Sequence, residues 1–320
     1  MSKIHGIAWL NMPGFSGMTW NPVTGCTPIS EGCANCYAKE LAETRLAGRC
    51  GYDKEDPFKV KLHESRMRLP QWRAPRMVFV CSMSDLFHED VPFPFVDRVF
   101  TLMAQRPRSV FCLLTKRAAR MNEYVLGASA AIKYEYETGK QMRWPLPNVW
   151  LGVTAENQYR ANERIPYLLD TPAARRFVSV EPMLGPVCLE RIVGCDALFR
   201  PLDGLLGVEG RGWVQHTRID WVICGGESGD KSRPMHADWA RSLRGQCHAE
   251  NVSYFFKQWG TWAFAGGDST HILSASGELF PLGSKGDDCN RSWPCARVGL
   301  RKAGHLLDGV EYRTWPEITA

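Results

Sequence analysis

The sequence of 320 residues predicts an α/β fold that closes as a full or partial (β/α) TIM-like barrel. Six apolar runs are rich in β-branched and aromatic residues, as in parallel strands buried on both faces. These runs cover residues 77–82, 109–115, 148–154, 176–181, 219–224 and 252–257. Helical patterns lie between them, over residues 95–105, 117–125, 157–169 and 237–251. Alternating strands and helices form βαβ units, for which a doubly wound open sheet is the alternative arrangement.

The domain organisation follows from where this alternation is interrupted. We expect a barrel over residues 1–259, with insertions near residues 127–147 and 189–217, the second of which is rich in Gly and Arg. From residue 260 onward the sequence has many Gly, Asp and turn residues and little periodicity. Residues 260–320 are therefore predicted to be a C-terminal extension packed on the barrel.

Composition narrows the class of protein. The net charge of +5 permits an anionic partner but does not require one, because dedicated nucleic-acid binders are usually more basic. The N-terminal segment has no apolar run long enough for a signal peptide or a membrane span, so we expect a cytoplasmic protein with no membrane partner. In that reducing compartment, twelve cysteines do not indicate a disulfide framework. Cys81, Cys112 and Cys224 lie within apolar runs and are expected to be core residues.

Polar residues directly follow each predicted strand. Because the carboxyl ends of parallel strands meet at one face of a barrel, these residues are expected to outline a single polar mouth. Any one of these groups alone is more often a helix cap or a turn. The groups are Ser82-Met83-Ser84-Asp85, Thr115-Lys116-Arg117, Thr154-Ala155-Glu156-Asn157, Glu181-Pro182, Gly225-Gly226-Glu227-Ser228 and Lys257-Gln258-Trp259.

A loop near the N-terminus carries Cys26, Cys33 and Cys36, with a helix expected over residues 36–46. Two residues separate Cys33 from Cys36, which lets both thiolates reach one metal centre, and Cys26 can fold back as a third ligand. Three thiolates suit a [4Fe–4S] cluster with one iron left for a small molecule, as S-adenosylmethionine (SAM) chemistry requires.

Two other interpretations of the three cysteines remain open. A structural zinc site needs a fourth ligand. The candidates for that ligand are Cys50, His63, Cys289 and Cys295. The cysteines could also be unligated core residues, although a polar loop is a poor place to bury three thiols.

The cysteine segment resembles that of the radical-SAM superfamily, although six residues separate Cys26 from Cys33 where the common spacing has three. The chain resembles more closely a phage-borne three-cysteine family grouped with that superfamily. The matching segments are TWNPVTGC with GCANCYA, SMSDLFH, LLTKR, GVTAEN, SVEPMLGP, VICGGESG, RPMHADW, FFKQWG and HLLDGVEY. They occur in order along nearly the whole chain, apart from the two insertions.

The resemblance implies a barrel of radical-SAM type in which Cys26, Cys33 and Cys36 hold the catalytic cluster. It places Tyr37 near the adenine of SAM. Superfamily barrels commonly hold the methionine amine with a Gly-Gly-Glu turn after the second strand, and Ser84 and Asp85 stand at that position here. Further candidates for the adenosine hydroxyls are Thr154, Glu156 and Glu181.

The remaining candidates concern the substrate. Clustered positive charge around the mouth would suit an anionic substrate, and Trp259 and Trp262 could stack on a base. The alternative is that Trp and Lys residues at a strand end anchor the C-terminal extension. The candidate substrate contacts are Lys116, Arg117, Glu227, Lys257 and Trp259.

The resemblance also implies a function. The chain would use a [4Fe–4S] cluster and SAM to form a 5′-deoxyadenosyl radical, and as an isomerase or mutase would rearrange an amino-acid-modified thymine in bacteriophage DNA. A base in duplex DNA would have to be flipped out to react. The implied partners are a nucleic acid or nucleotide substrate and a host electron donor such as a flavodoxin-type reductant, in the cytoplasm of the host cell. The alternatives are a photoproduct-lyase-like repair enzyme and a non-enzymatic, zinc-stabilised nucleic-acid-binding module.

Overall fold

The computed structural model describes residues 6–194, 197–283 and 292–318. The fold is mixed α/β and contains a seven-stranded parallel sheet. Its strands are β1 Ser16–Trp20, β2 Arg76–Val80, β3 Val110–Thr115, β4 Val149–Thr154, β5 Arg175–Val180, β6 Trp221–Gly225 and β7 Ser253–Gln258. Their order in the sheet is their order in the chain. This order is compatible with a partial (β/α) barrel, whereas a doubly wound sheet reverses its strand order.

Six of these strands confirm the apolar runs read from the sequence, with ends that differ by at most two residues. Every residue of β4 and of β6 is buried, as continuous apolar strands require. The sequence reading missed β1, which is an edge strand that pairs only with β2. Four of its five residues are half-buried, so its composition gives little signal.

The helices are α1 Tyr37–Leu41, α2 Phe93–Ala104, α3 Ala118–Gly127, α4 Ser129–Thr138, α5 Gln158–Asp170, α6 Ala237–Ala249 and α7 Leu300–Ala303. Four of them, α2, α3, α5 and α6, were predicted from periodicity. The helix expected over residues 36–46 is α1 followed by a π-helical turn, Ala42–Leu46. The 3₁₀ turns are Ala8–Leu10, Glu31–Cys33, Glu64–Arg66 and Gly266–Asp268.

The described chain divides into two compact units. Unit 1 comprises Met1–Ser30, Cys36–Val153 and Tyr167–Phe177, and unit 2 comprises Glu31–Asn35, Thr154–Pro166 and Val178–Ala320. The insertion at residues 127–147 lies in unit 1 and contains α4. The insertion at residues 189–217 lies in unit 2 and folds as an antiparallel sheet. Its strands are Ile192–Val193, Leu198–Arg200, Leu205–Val208 and Gly212–Gln215.

The C-terminal extension has a second antiparallel sheet, which the sequence reading did not foresee because its strands are short. Its strands are Trp262–Ala263, His271–Leu273, Leu279–Pro281 and Trp293–Arg297. The final segment packs beside β7, where Phe256 N–H donates to the Tyr312 carbonyl over 2.8 Å. The boundary at residue 260 stays a prediction.

The core cysteines lie where the apolar pattern placed them. Cys81, Cys112 and Cys224 are buried, and burial raises the pKa of Cys81 and Cys224 to about 12. Within the described ranges no cysteine forms a disulfide. In the same ranges, no helix has both the length and the apolar character needed to cross a membrane.

Thr314 ties the final segment to β7, and its substitution tests that packing. The Thr314 hydroxyl accepts from Tyr254 N–H over 2.8 Å and donates to the Tyr254 carbonyl over 2.9 Å. We expect Thr314→Ala to lower the free energy of unfolding by about 1–2 kcal/mol, because the Tyr254 N–H loses its acceptor. Thr314→Ser is the matched control and should stay near wild type in urea unfolding. Equal losses in both variants would contradict the role of the hydroxyl.

Candidate functional site

The cysteine loop, defined here as residues 25–36, follows β1 and a short paired strand, Val23–Thr24. Gly25 starts the loop with a φ of +82°, and a Cβ there would lie 2.0 Å from the Lys59 carbonyl oxygen. Only glycine fits such a turn. Cys26, Cys33 and Cys36 are all half-buried and none forms a disulfide.

In unit 1, the part of the loop around Cys26 is held by Arg117. The Arg117 guanidinium donates to Cys26 Sγ at 3.4 Å and to the carbonyl and hydroxyl of Thr27 at 3.3 and 2.9 Å. It also pairs with Asp85 at 3.4 Å and with Glu89 at 2.8 Å. Burial alone would lower the pKa of Arg117, but Asp85, Glu89 and Cys26 raise it above its usual value. Arg117 is therefore a permanent buried cation beside Cys26.

Asp85 anchors this arrangement from the end of β2. Its carboxylate accepts from the Thr115 hydroxyl at 2.7 Å, from Lys116 N–H at 3.1 Å and from Phe87 N–H at 3.0 Å, in addition to Arg117. Asp85 is buried, and these donors occupy both of its oxygens. The contacts favour a role for Asp85 in orienting Arg117, and contact with SAM stays a prediction.

Other predicted residues of unit 1 also contact the cysteine loop or its flanks. Lys116 Nζ lies 3.1 Å from the Ser30 hydroxyl, and the Ser84 hydroxyl donates to the Val23 carbonyl over 2.8 Å. Tyr37 is half exposed, and its hydroxyl donates to the Ser82 carbonyl. Of the residues expected to contact SAM in this unit, Tyr37 keeps the most accessible side chain.

In unit 2, the middle of the loop is held through Glu31. Its carboxylate accepts from Asn157 Nδ2 at 2.6 Å and from Arg160 Nε and Nη2, both at 2.9 Å. Burial alone would raise the pKa of Glu31. Hydrogen bonds from its own backbone N–H, Asn157 and Arg160 instead lower the pKa to about 2. Glu31 thus stays ionised and fixes the turn before Cys33.

Gly32 packs directly on Glu156. A Cβ on Gly32 would lie 2.4 Å from Glu156 Oε1, so a larger residue does not fit without rearrangement. Glu156 has no exposed surface and pairs with Arg164 at 2.8 Å, while Arg164 also donates to the Thr154 carbonyl over 2.9 Å. Glu156 therefore supports the loop in this structure, and the Thr154 carbonyl helps to hold Arg164 in place. Their contact with adenosine hydroxyls stays a prediction.

Asn35, the residue before Cys36, is held by Glu227. Asn35 Nδ2 donates to Glu227 Oε2 over 3.0 Å and to the Lys231 carbonyl over 2.8 Å. Arg233 pairs with both Glu227 oxygens, at 2.9 and 2.6 Å, and donates to the Glu31 carbonyl over 3.0 Å. Burial alone would raise the pKa of Glu227, but hydrogen bonds from Arg233 and Asn35 hold it below its usual value. Glu227 is committed to the loop rather than open to a substrate.

The remaining predicted residues of unit 2 bond to partners outside the loop. Lys257 Nζ forms an ion pair with Glu181. Trp259 is buried, donates from its indole N–H to the Leu306 carbonyl over 2.8 Å and stacks on Trp293 with ring centroids 5.3 Å apart. These contacts favour the alternative reading, in which Trp259 anchors the C-terminal extension.

The three cysteines fit an iron–sulfur cluster by their donor chemistry. They form no disulfide and lie on one loop, and an N–H donor faces the sulfur of Cys26, as is common around metal-bound thiolates. Within the part of the chain that the structure describes, no three His, Cys, Asp or Glu side chains are already grouped around a metal position. For zinc, Cys289 lies outside the described residues, and Cys295 is a fully buried strand residue.

Sequence reasoning named some residues that hold the loop, such as Arg117 and Glu227, but it missed Glu31, Asn35 and Arg160. The contacts of Glu31, Asn35 and Arg160 span 126 to 196 residues in sequence, so no local pattern announces them. The available signal was the presence of Glu31 and Asn35, a charged and an amide side chain, between the cysteines.

Gly32 gives a direct test of the packing on Glu156. We expect Gly32→Ala to lower the free energy of unfolding by about 1–3 kcal/mol, because its Cβ would overlap a buried carboxylate that Arg164 holds in place. Gly245→Ala is the matched control. Gly245 lies within α6 with nothing within 4 Å of its Cβ position, so this change should stabilise by about 0.5–1 kcal/mol. Urea unfolding of both variants decides, and no loss in Gly32→Ala would contradict the packing.

His63 provides a pH-dependent test in unit 1. It is buried with Nε2 at 2.7 Å from the Thr24 hydroxyl, and burial, Arg66 and Lys61 lower its pKa to about 4. An unfolded histidine takes a proton near pH 6.5, so the folded state loses stability as the pH falls from about 6.5 to about 4.

We expect this contribution to be on the order of 2–3 kcal/mol and to be absent from His63→Gln. The measurement is the difference in unfolding free energy between wild type and variant across that pH range. His248→Gln, at an exposed position, should keep the wild-type pH dependence. A constant difference between wild type and His63→Gln would contradict the prediction.

Comparison with known proteins identifies the family of this chain, but the family has no described activity. No curated protein and no solved structure matches the chain. Residues 7–316, nearly the whole sequence, match one protein family, described as “Protein of unknown function (DUF5131)”. The chain therefore belongs to this family.

Proposed function

We propose that this protein is a radical-SAM enzyme whose [4Fe–4S] cluster is held by Cys26, Cys33 and Cys36. One observation carries the proposal: three reduced, half-buried thiols lie on the loop after β1, and the residues that follow neighbouring strands are used to hold that loop. In barrel enzymes the carboxyl ends of the strands build the active site. Side chains at the ends of several strands thus bond to the three-cysteine loop, which points to the loop as the centre of the active site.

The residues of this chain have defined roles in the proposal. The cluster with SAM would supply a 5′-deoxyadenosyl radical that abstracts hydrogen from the substrate. Arg117 stabilises negative charge at Cys26, and Glu31 and Asn35 fix the backbone on either side of Cys33. Three protein ligands leave one iron for SAM, and the exposed ring of Tyr37 beside Cys36 offers a surface for its adenine.

The proposed substrate is a modified thymine base in bacteriophage DNA, rearranged by an isomerase or mutase reaction, and this part rests on the resemblance. Of the cations expected to attract a phosphate backbone, Arg117 is paired with Asp85 and Lys257 with Glu181, and the nearby Arg233 is paired with Glu227. Because these cations are already neutralised within the protein, attraction of a phosphate backbone to them is not part of the proposed substrate binding. A flavodoxin-type donor would supply the electron.

The test is the metal content of protein purified without oxygen. We expect wild type to carry about four irons with a broad visible absorbance, and Cys33→Ala to lose them, because the cluster lacks one of three ligands. Cys188→Ala, at an exposed cysteine outside the loop, is the control and should keep the iron. SAM added to the reduced protein should yield 5′-deoxyadenosine only where iron is retained.

Other outcomes would point elsewhere. A colourless protein with stoichiometric zinc would replace the radical enzyme with the zinc-stabilised module. Wild-type iron content in Cys33→Ala would remove that cysteine from the site. For the substrate, phage DNA digested after incubation with SAM should contain a changed nucleoside of unchanged mass, whereas restored thymine alone would favour photoproduct repair.

A further inference from the structure

We propose that Arg117 sets the reduction potential of the cluster at Cys26, which makes it a positioning and tuning residue rather than a substrate contact. The inference rests on the proposed function, because it requires a cluster on the cysteine loop. It goes beyond that function by assigning the electronic control of the site to one side chain and to the two carboxylates that hold it.

Arg117 uses all of its hydrogen-bond donors within the protein. A guanidinium has five N–H donors. Here Nε faces Glu89, Nη1 faces Cys26 Sγ and Asp85, and Nη2 faces the carbonyl and hydroxyl of Thr27. Five donors meet five acceptors, and the residue is only 6% exposed. Arg117 has no donor left for a substrate phosphate or base.

The Arg117 guanidinium cannot turn away from the Cys26 sulfur. Asp85 is itself fixed by Thr115 and by the backbone N–H groups of Phe87 and Lys116. On the opposite side of the guanidinium, Arg117 Nε donates to the Glu89 carboxylate. The N–H donor to Cys26 is thus preorganised, which is the arrangement in which a buried hydrogen bond acts most strongly on a bound charge.

The effect of Arg117 on the cluster is electrostatic. Reduction would add one electron from a low-potential one-electron donor, and therefore one negative charge, beside Cys26, with no bond made or broken at Arg117. A fixed cation and an N–H donor to a ligand sulfur stabilise the more negative state. Hydrogen bonds to the sulfurs are among the factors that set such potentials. Arg117 should make the reduced state easier to reach.

The experiment is a reductive titration of the anaerobically loaded protein, followed by the electron paramagnetic resonance of the reduced cluster. We expect half-reduction of the cluster in Arg117→Met to need at least a tenfold larger ratio of reduced to oxidised donor. That corresponds to a shift of about 59 mV to more negative potential. Arg120→Met is the matched control on α3, since Arg120 stacks on Phe93 at 4.3 Å and donates to the Val91 carbonyl. Its potential should equal that of wild type.

Two gentler variants keep the test decisive if Arg117→Met folds poorly. Arg117→Lys keeps the positive charge but not the planar guanidinium. Glu89→Asp keeps the negative charge but shortens the side chain that accepts from Nε, which is 64% exposed. Both should shift the potential in the same direction by less. An unchanged potential in all three variants with intact clusters overturns the inference and leaves the proposed function standing. A wild-type protein that binds no iron overturns both.

Discussion

The cysteine loop has only one turn of regular structure, Glu31–Cys33, so it depends on hydrogen bonds from elsewhere in the chain. Backbone and side-chain polar groups in such a loop need partners when they leave water. The side chains that follow the strands supply them: Arg117 and Lys116 near Cys26 and Ser30, and Asn157, Arg160 and Glu227 around residues 31–35. These side chains thus provide hydrogen-bond partners for the polar groups of the loop.

Three buried or half-buried ion pairs follow from that requirement: Arg117 with Asp85, Arg164 with Glu156, and Arg233 with Glu227. The free energy lost when two charges leave water is about as large as the attraction between them. Such ion pairs are therefore weak sources of stability. Their geometry instead fixes the loop residues they meet, because Glu156 packs on Gly32, Glu227 accepts from Asn35, and Asp85 orients the Arg117 side chain that donates to Cys26. The proposed metal site would need such fixed surroundings for its sulfur ligands.

The same contacts change the picture of the polar residues at the strand ends. In the sequence, these polar groups together suggested an open binding site at the ends of the strands. Asp85, Glu156 and Glu227 instead face inward and are committed to protein partners, while Tyr37 remains accessible. The accessible chemistry is therefore concentrated at the cysteines and at the ring beside them. Residues that looked like ligand contacts are better understood as the supports that hold the cysteine loop.

The sequence by itself determined the buried strands, the main helices and the three-cysteine loop. Strands covered on both faces must be continuously apolar, and a glycine with a left-handed φ before Cys26 is a local requirement, so both leave local traces. Only the tertiary structure decided which side chain meets which. Asn35 reaches Glu227 across 192 residues, and Trp259 finds Trp293 in the extension. Such pairings depend on how strands stack side by side, which no local window of sequence contains.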